Sequence, residues 1–592
     1  MNKQSLFPKE SKKIYGSDVM VNILKQHGIK YVACNPGATI RGLHDSVVND
    51  AGDNPLTLVL CCHEEISVAI AHGYAKATGQ CMAVFIHTNV GLQHASMAVF
   101  NAWCDRVPIL LIGGVGPLDI TKRRPWIDWI HTSNDQASVL RGYIKWEDQP
   151  VGLYGTRDAL YRAFRIANTE PKAPVYVGID ASIQEEITEE FIQLEDIKWL
   201  VPIVQPQADN EALNQLAELL VSAESPVVLV DYMGKNPDSV AHLVALAELL
   251  ALPVIDKGGR YNFPNTHQLY MGSEGKEFLS TTDCILTLDV QDLYGAFGYF
   301  DKEKNIYVNC LNDKAMIAHI SLSDYLISSS VADYQKLAPI DLPIAANTLK
   351  AIPELVKLCK SKINSTISAK IEKRLGLLQA KHLELRKNWL LKANNELSKN
   401  PISIPAMVLT IWESIENEKW ILANGGNTLI LDWIRKLWKL DKPGCYLGFS
   451  GGAGLGYGLG ASIGAALAYK NTDTICINLQ CDGDFLFTPS ALWTAAHYEV
   501  PLLIIMMNNR SYNNTKEHAE HIAEYRNRPR NNATVGSDLT QPNVDYPKLA
   551  ESFGIKSYET IQSIEKIKVT IKLALAYIKK YKKPALIDLI IE

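Results

Sequence analysis

Short, nearly unbroken apolar runs alternate with segments of helical period, and this alternation constrains the fold more than any other feature of the chain. In the first stretch the runs are Tyr31-Val-Ala-Cys34, Thr57-Leu-Val-Leu-Cys61, Met82-Ala-Val-Phe-Ile86, Pro108-Ile-Leu-Leu-Ile-Gly113 and Val175-Tyr-Val-Gly-Ile179. Strands apolar on both faces must be covered on both faces, which predicts parallel sheets flanked by helices. A second set holds Pro226-Val-Val-Leu-Val230, Leu252-Pro-Val-Ile255 and Cys284-Ile-Leu-Thr-Leu288, with a helix over 239–250. A third set holds Trp420-Ile-Leu-Ala423, Ile475-Cys-Ile-Asn-Leu-Gln-Cys481, Leu502-Leu-Ile-Ile-Met-Met507 and Ala585-Leu-Ile-Asp-Leu-Ile590. The expected fold is α/β with three doubly wound parallel-sheet units. Their expected bounds are 1–190, 205–345 and 401–592, with a lysine-rich helical connector over 350–400 whose charges form a solvated face.

The 592 residues exceed what one core supports, and about 150 residues per domain sets a soft limit of roughly four. A formal charge of −5 gives no electrostatic case for nucleic acid or an anionic membrane, so small molecules are the expected partners. Met1 to Lys13 holds no apolar run of signal-peptide length, and no later segment has about 18 uninterrupted apolar residues, which points to the cytoplasm and to no membrane partner. The 11 cysteines are scattered, as expected of reduced thiols packed as small hydrophobes.

Two apolar strands of the third set end in polar pairs, Asp482-Gly483 and Asn508-Asn509. An open α/β sheet binds ligands in the crevice at the carboxyl ends of its strands. Magnesium prefers a few hard oxygens shared with a diphosphate, and the Asp482 carboxylate, the Asn509 amide and the Ser511 carbonyl supply that set. Turn chemistry alone would explain either pair in isolation. Gly451-Gly-Ala-Gly-Leu-Gly-Tyr-Gly-Leu-Gly460 opens an apolar helix and lets backbone approach a ligand closely. Within it, Gly456-Tyr-Gly-Leu-Gly-Ala461 satisfies the loose dinucleotide fingerprint, which keeps a nicotinamide- or flavin-dependent oxidoreductase as a rival.

Cys481-Asp482-Gly483-Asp484-Phe485 through Met506-Met507-Asn508-Asn509 resembles the signature of thiamine-diphosphate enzymes, with Cys481 in place of the first glycine. The resemblance covers most of the chain and is closest to the acetolactate synthase and benzoylformate decarboxylase branch. It implies pyrimidine-binding, central and diphosphate-binding units, with thiamine diphosphate and Mg²⁺ as cofactors. His63-Glu-Glu-Ile, followed by Gly73-Tyr-Ala75, resembles the segment whose glutamate faces the aminopyrimidine, which makes Glu64 the expected catalytic acid. A pair of acids at a helix amino terminus is the bland alternative.

By the same resemblance, Leu455 props the cofactor into its bent shape and the Ala453 carbonyl accepts a hydrogen bond from the 4′ nitrogen. Asn427 and Thr428, in Asn424-Gly-Gly-Asn-Thr428, are expected to bind the diphosphate with main-chain help from Gly483 and Asp484, although a simple N-cap explains Thr428 almost as well. His87 falls where benzoylformate decarboxylase carries a proton-transferring histidine, and Gln136 resembles a glutamine that acetolactate synthases place near the substrate. Ala38 stands where the decarboxylase has serine, and Asn514 and His518 lie where relatives contact substrate. Leu288-Asp-Val-Gln-Asp-Leu293 replaces the synthases' flavin-associated stretch, so FAD is not expected.

The implied activity is decarboxylation of a 2-oxo acid, leaving an enamine that either joins a second carbonyl or is protonated to an aldehyde. Glu64 and Asp482 must grip one cofactor from different units, and family members achieve this by pairing the first domain of one subunit with the third of another, so the resemblance implies a homodimer or dimer of dimers with sites at the subunit interface. A non-catalytic cofactor-binding regulator is the rival from another class, and it would be expected to lack Glu64 or the metal ligands.

Overall fold

The computed structural model describes residues 13–49, 55–188, 192, 194–326 and 336–592. Residues 1–12, read above for a leader, lie outside them. Three parallel sheets carry the fold. The first has the spatial order 57–60, 31–34, 82–87, 109–115, 175–180 and 146–148, with every pairing parallel. The chain leaves strand Tyr31–Cys34 to one side and returns as Met82–His87 on the other, so a topological switch point opens between them.

The central sheet has the order 254–256, 226–230, 284–288, 316–321 and 342–345. The third has the order 420–425, 475–481, 502–508, 585–590 and 556–557. Cys481 pairs with Met507, which sets Asp482 and Asn508 side by side just beyond the last rung. Two helices, Thr348–Lys362 and Ser365–Asn395, link the central and third sheets. Among the described residues no helix is long and apolar enough to cross a membrane.

The first and third units are welded through one helix pair, Glu64–Thr78 against Tyr457–Tyr469. Small residues let the two backbones meet. A Cβ on Gly73 would stand 1.9 Å from the Ala461 carbonyl oxygen, and one on Gly464 would stand 1.9 Å from that of Ile70. No side chain larger than hydrogen fits at either position without separating the helices.

Beside this seam lies a buried charge cluster. Asp105 accepts from His72 Nε2 at 2.7 Å, Lys76 Nζ at 2.8 Å and Arg260 Nη1 at 3.1 Å. Lys76 also donates to the Phe449 carbonyl at 2.9 Å and the Tyr457 hydroxyl at 3.0 Å, so one cluster ties all three units together. Burial alone would raise the Asp105 carboxyl, but Arg260 and Lys76 hold it well below the usual carboxylate range.

The seam predicts opposite outcomes for two glycine replacements. Gly73→Ala should lower the urea midpoint by an amount equivalent to about 1–3 kcal/mol or more. Gly376→Ala, in the linking helix with nothing within 4 Å of the added carbon, should be neutral or raise it by up to about 1 kcal/mol. Equal midpoints would show that the helices do not meet backbone to backbone.

Candidate active site

Asp482 follows strand Ile475–Cys481 and begins a single helical turn, Asp482–Phe485. Its Oδ1 accepts from the Gly483 N–H at 2.9 Å, while Oδ2 is buried with no hydrogen-bond partner among the described residues. Burial raises this carboxyl to about 6, with the N–H groups of Gly483, Arg510 and Ser511 pulling the other way. A buried carboxylate oxygen without a donor is costly unless a cation or a proton takes it. Asn509 lies at the same strand edge, and its amide oxygen accepts from the Ser511 N–H at 3.2 Å, which leaves a second lone pair available. Asn508 is spoken for: its amide donates to Asp588 Oδ1 on the neighbouring strand at 3.1 Å. The Asp482 carboxylate, the Asn509 amide oxygen and the Ser511 carbonyl are hard oxygens of the kind that Mg²⁺ takes.

Of the two residues expected as main-chain donors, Gly483 has its N–H engaged within the chain, and Asp484 uses its side chain in a second role. The Gly483 N–H is turned onto its own neighbour's carboxylate, and a Cβ at Gly483 would meet the Tyr512 ring at 2.5 Å. The Asp484 side chain caps the glycine-rich helix, with Oδ1 accepting from the Gly456 N–H at 2.8 Å and Oδ2 from Gln480 Nε2 at 2.5 Å. The anion-binding end of that helix is therefore filled by the protein itself. Asn427, not Thr428, is the N-cap of helix Thr428–Leu437, accepting from the Ile430 N–H at 3.0 Å. Both residues are exposed, which leaves the Thr428 hydroxyl and the first-turn N–H groups open to an anion.

The glycine-rich loop is held from the first unit. Asn101 accepts from the Gly454 N–H at 3.0 Å and donates to the Gly454 carbonyl at 3.2 Å, a reciprocal clamp from a buried side chain. Ala453 takes a left-handed conformation at φ 51°, rare for a residue with a Cβ, and Leu455, beyond Gly454, is 39% exposed. The loop thus projects an apolar side chain outward from a rigid base.

In the first unit, Glu64 opens helix Glu64–Thr78 behind an N-cap made by His63, whose ring accepts from the Glu65 N–H. Glu64 is buried and faces helix Thr88–Cys104: a Cβ on Gly91 would stand 2.8 Å from its Oε1, and its Oε2 lies 3.3 Å from His94 Nδ1. Glu65 points the other way, toward its own chain's third unit, where a Cβ on Gly456 would stand 2.7 Å from its Oε1. Burial, reinforced by the Asp484 charge, pushes Glu65 up to about 7.

At the switch point, His87 Nδ1 lies 2.9 Å from the Thr39 hydroxyl, and the Thr39 N–H points at the same nitrogen from 3.5 Å. That assigns the neutral ring's proton to Nε2. Burial lowers His87, and the edge-on His131 ring at 4.9 Å lowers it further against the opposing pull of Glu64. Ala38 is exposed beside Thr39.

Gln136 departs from expectation. It is 1% exposed, and its amide donates to the Tyr176 hydroxyl at 2.7 Å and the Gly114 carbonyl at 3.2 Å, so it braces the sheet instead of facing an open cleft. Asn514 and His518 lie exposed on helix Asn513–Tyr525, which buries none of its residues. Sequence reasoning passed over His94, His131 and the Asp484 carboxylate. No local pattern marks them, because each acquires its partner only through tertiary contact.

Two family profiles match the chain: the N-terminal TPP binding domain of thiamine pyrophosphate enzymes over residues 14–139, and their C-terminal TPP binding domain over residues 426–589. The chain is 24% identical to the acetolactate synthase large subunit of Haemophilus influenzae over 92% of its own length and 89% of the relative's. It is 23% identical to benzoylformate decarboxylase of Pseudomonas aeruginosa over 94% of its length and 95% of the relative's. Among solved structures, a thiamine diphosphate-dependent 4-hydroxybenzoylformate decarboxylase from Rhodococcus jostii RHA1 superposes with a TM-score of 0.77 at 22% identity, covering 98% of this chain and 99% of that one, which shows the fold. With the two cofactor-domain profiles seated on the first and third sheets, and relatives aligned from end to end, the chain belongs to the thiamine pyrophosphate enzyme family.

Proposed function

We propose that the protein is a thiamine-diphosphate- and Mg²⁺-dependent enzyme that decarboxylates a 2-oxo acid and joins the remaining fragment to a second carbonyl, the chemistry named by its acetolactate synthase relatives. The observation that carries this reading is Asp482 Oδ2, buried without a hydrogen-bond partner among the described residues at the strand edge that also carries Asn509. Asp482, Asn509 and Ser511 would hold the metal; Thr428, Asn427 and the first-turn N–H groups would take the diphosphate. Leu455 would support the cofactor's bend and the Ala453 carbonyl its amino group. When bound, the cofactor supplies the electron sink that lets carbon dioxide leave. Glu64 would hold the proton shared with the pyrimidine ring, and its burial between Gly91 and His94 suits a carboxyl that must stay dry.

Release of an aldehyde is the second reading, and the His87 tautomer favours it. With Nδ1 engaged by Thr39, Nε2 carries the one movable proton, at a strand end beside exposed Ala38. Asn514 and His518 would contact the substrate from their exposed helix.

The active unit is a homodimer or a dimer of dimers. Glu65 is the acid directed at its own chain's glycine-rich loop, whereas the Glu64 partners named above, Gly91 and His94, come from its own unit. Glu64 would therefore serve a cofactor held by the third unit of a second copy.

Three outcomes test this. Incubated with thiamine diphosphate, Mg²⁺ and a panel of 2-oxo acids, the protein should yield carbon dioxide and a ligated product or aldehyde detectable by mass spectrometry. Asp482→Ala should weaken Mg²⁺ binding by more than roughly tenfold in calorimetry, with an unchanged circular dichroism spectrum; undiminished binding would remove the metal assignment. Glu64→Gln and Asp482→Asn chains, each inactive alone, should regain roughly half the wild-type activity as a purified heterodimer, because one of its two sites is then intact; an inactive heterodimer would place both residues in one chain's site. Separately, His87→Phe should slow aldehyde release by roughly 10²–10⁴-fold and raise the share of ligated product.

A further inference from the structure

His94 has no place in the chemistry above, yet it is the side chain that touches the buried carboxyl at its centre. Its Nδ1 lies 3.3 Å from Glu64 Oε2, and its side chain is 60% exposed where that of Glu64 is 5% exposed. Two contacts fix the ring in that position. His63, itself anchored by the Glu65 N–H, stacks on it with ring centroids 4.8 Å apart and planes 16° apart, and the helix Thr88–Cys104 brings Gly91 and His94 to successive oxygens of the same carboxylate. Nothing larger than glycine at position 91 would admit the carboxylate so close.

We propose that His94 is a positioning residue that passes protons between solvent and the Glu64 carboxyl; the inference rests on the reading of Glu64 given above. In the loading direction the Nδ1 proton moves to Glu64 Oε2 while Nε2 takes a proton from water, so one proton crosses from solvent to the carboxyl and the imidazole is regenerated as its other tautomer. Exchange of the ring protons with solvent resets it. Unloading runs in reverse. A buried acid that trades a proton at each turnover needs such a route, and His94 spans the distance from the carboxylate to the surface of its own chain in one side chain.

The other titratable groups around Glu64 are less suited. His63 has Nδ1 committed to the Glu65 N–H, and His87 has Nδ1 committed to Thr39. Cys34 and Cys61 lie beneath the carboxyl as buried thiols, Cys61 pushed up to about 12 and Cys34 higher still, and neither ionises near neutral pH. His63, Glu64 and His94 also offer ligand atoms within 4.8 Å of one another. Parallel stacked rings send their in-plane lone pairs alongside each other, not to a common point, which suits proton transfer better than metal ligation.

The test uses the enzyme loaded with thiamine diphosphate and Mg²⁺ and follows exchange of the cofactor's C2 proton for deuterium by quenched-flow NMR. His94→Ala should slow exchange by roughly tenfold or more, with cofactor affinity within about twofold of wild type, and added imidazole should restore the rate in proportion to its concentration. His94→Gln, which keeps bulk and a donor but cannot titrate, should be as slow as His94→Ala. Wild-type exchange in either variant, or a slow rate that imidazole leaves unchanged, would overturn the proposal and reduce His94 to packing. Glu64→Gln is the separate control: if it exchanges at the wild-type rate, the reading of Glu64 fails, whatever His94 does.

Discussion

The contact on which the rest of the structure depends is the glycine-lined seam between helices Glu64–Thr78 and Tyr457–Tyr469. Backbone against backbone leaves no slack, because Gly73 and Gly464 each face a carbonyl oxygen at a distance that excludes a methyl group. Each helix begins at a functional element: the first at the Glu64-Glu65 pair, the second at the loop bearing Ala453 and Leu455. A fixed seam therefore fixes the relation between the two acids and the loop. Asn101 and the Asp105 cluster reinforce it from the side, and Arg260 brings the central unit into the same junction.

That rigidity divides the labour of two adjacent carboxyls. Successive residues at a helix start point roughly a quarter turn apart. Glu65 is consequently aimed at its own chain's third unit, where burial and Asp484 favour its protonated form, while Glu64 faces away across helix Thr88–Cys104. The metal corner follows a similar economy of geometry. Parallel pairing of Ile475–Cys481 with Leu502–Asn508 delivers Asp482 and Asn509 to one edge, Asp588 holds Asn508 out of the way, and a single buried carboxylate oxygen is left without a donor among the described residues.

The sheets were legible because strands buried on both faces are apolar almost without interruption. The strands that escaped notice lack that signature. Trp146–Asp148 is an edge strand with two acids, Met316–Ser321 carries His319 bonded sideways to Thr287, Leu342–Ala345 is an edge strand that tolerates Pro343, and Lys556–Ser557 is too short to show a pattern. The polar pairs closing the strands of the third sheet were legible for the same reason as the sheets, since strand ends mark the ligand edge. Roles that depend on which way a side chain turns were not. Gln136 reads as a cleft residue until the hydroxyl of Tyr176 claims its amide, and neither the helix cap made by the Asp484 side chain nor the contact of His94 with Glu64 is marked in the sequence.

The central claim is that one cofactor spans two chains, with its metal at the Asp482 corner and its ring at Glu64. A crystal structure of the protein with thiamine diphosphate and Mg²⁺ tests it most directly. The account predicts a metal about 2.0–2.1 Å from Asp482 Oδ2, the Asn509 amide oxygen and the Ser511 carbonyl, with Glu64 of a second copy hydrogen-bonded to the pyrimidine ring. A cofactor seated elsewhere, or a ring contacted by Glu65 of the same chain, would contradict it.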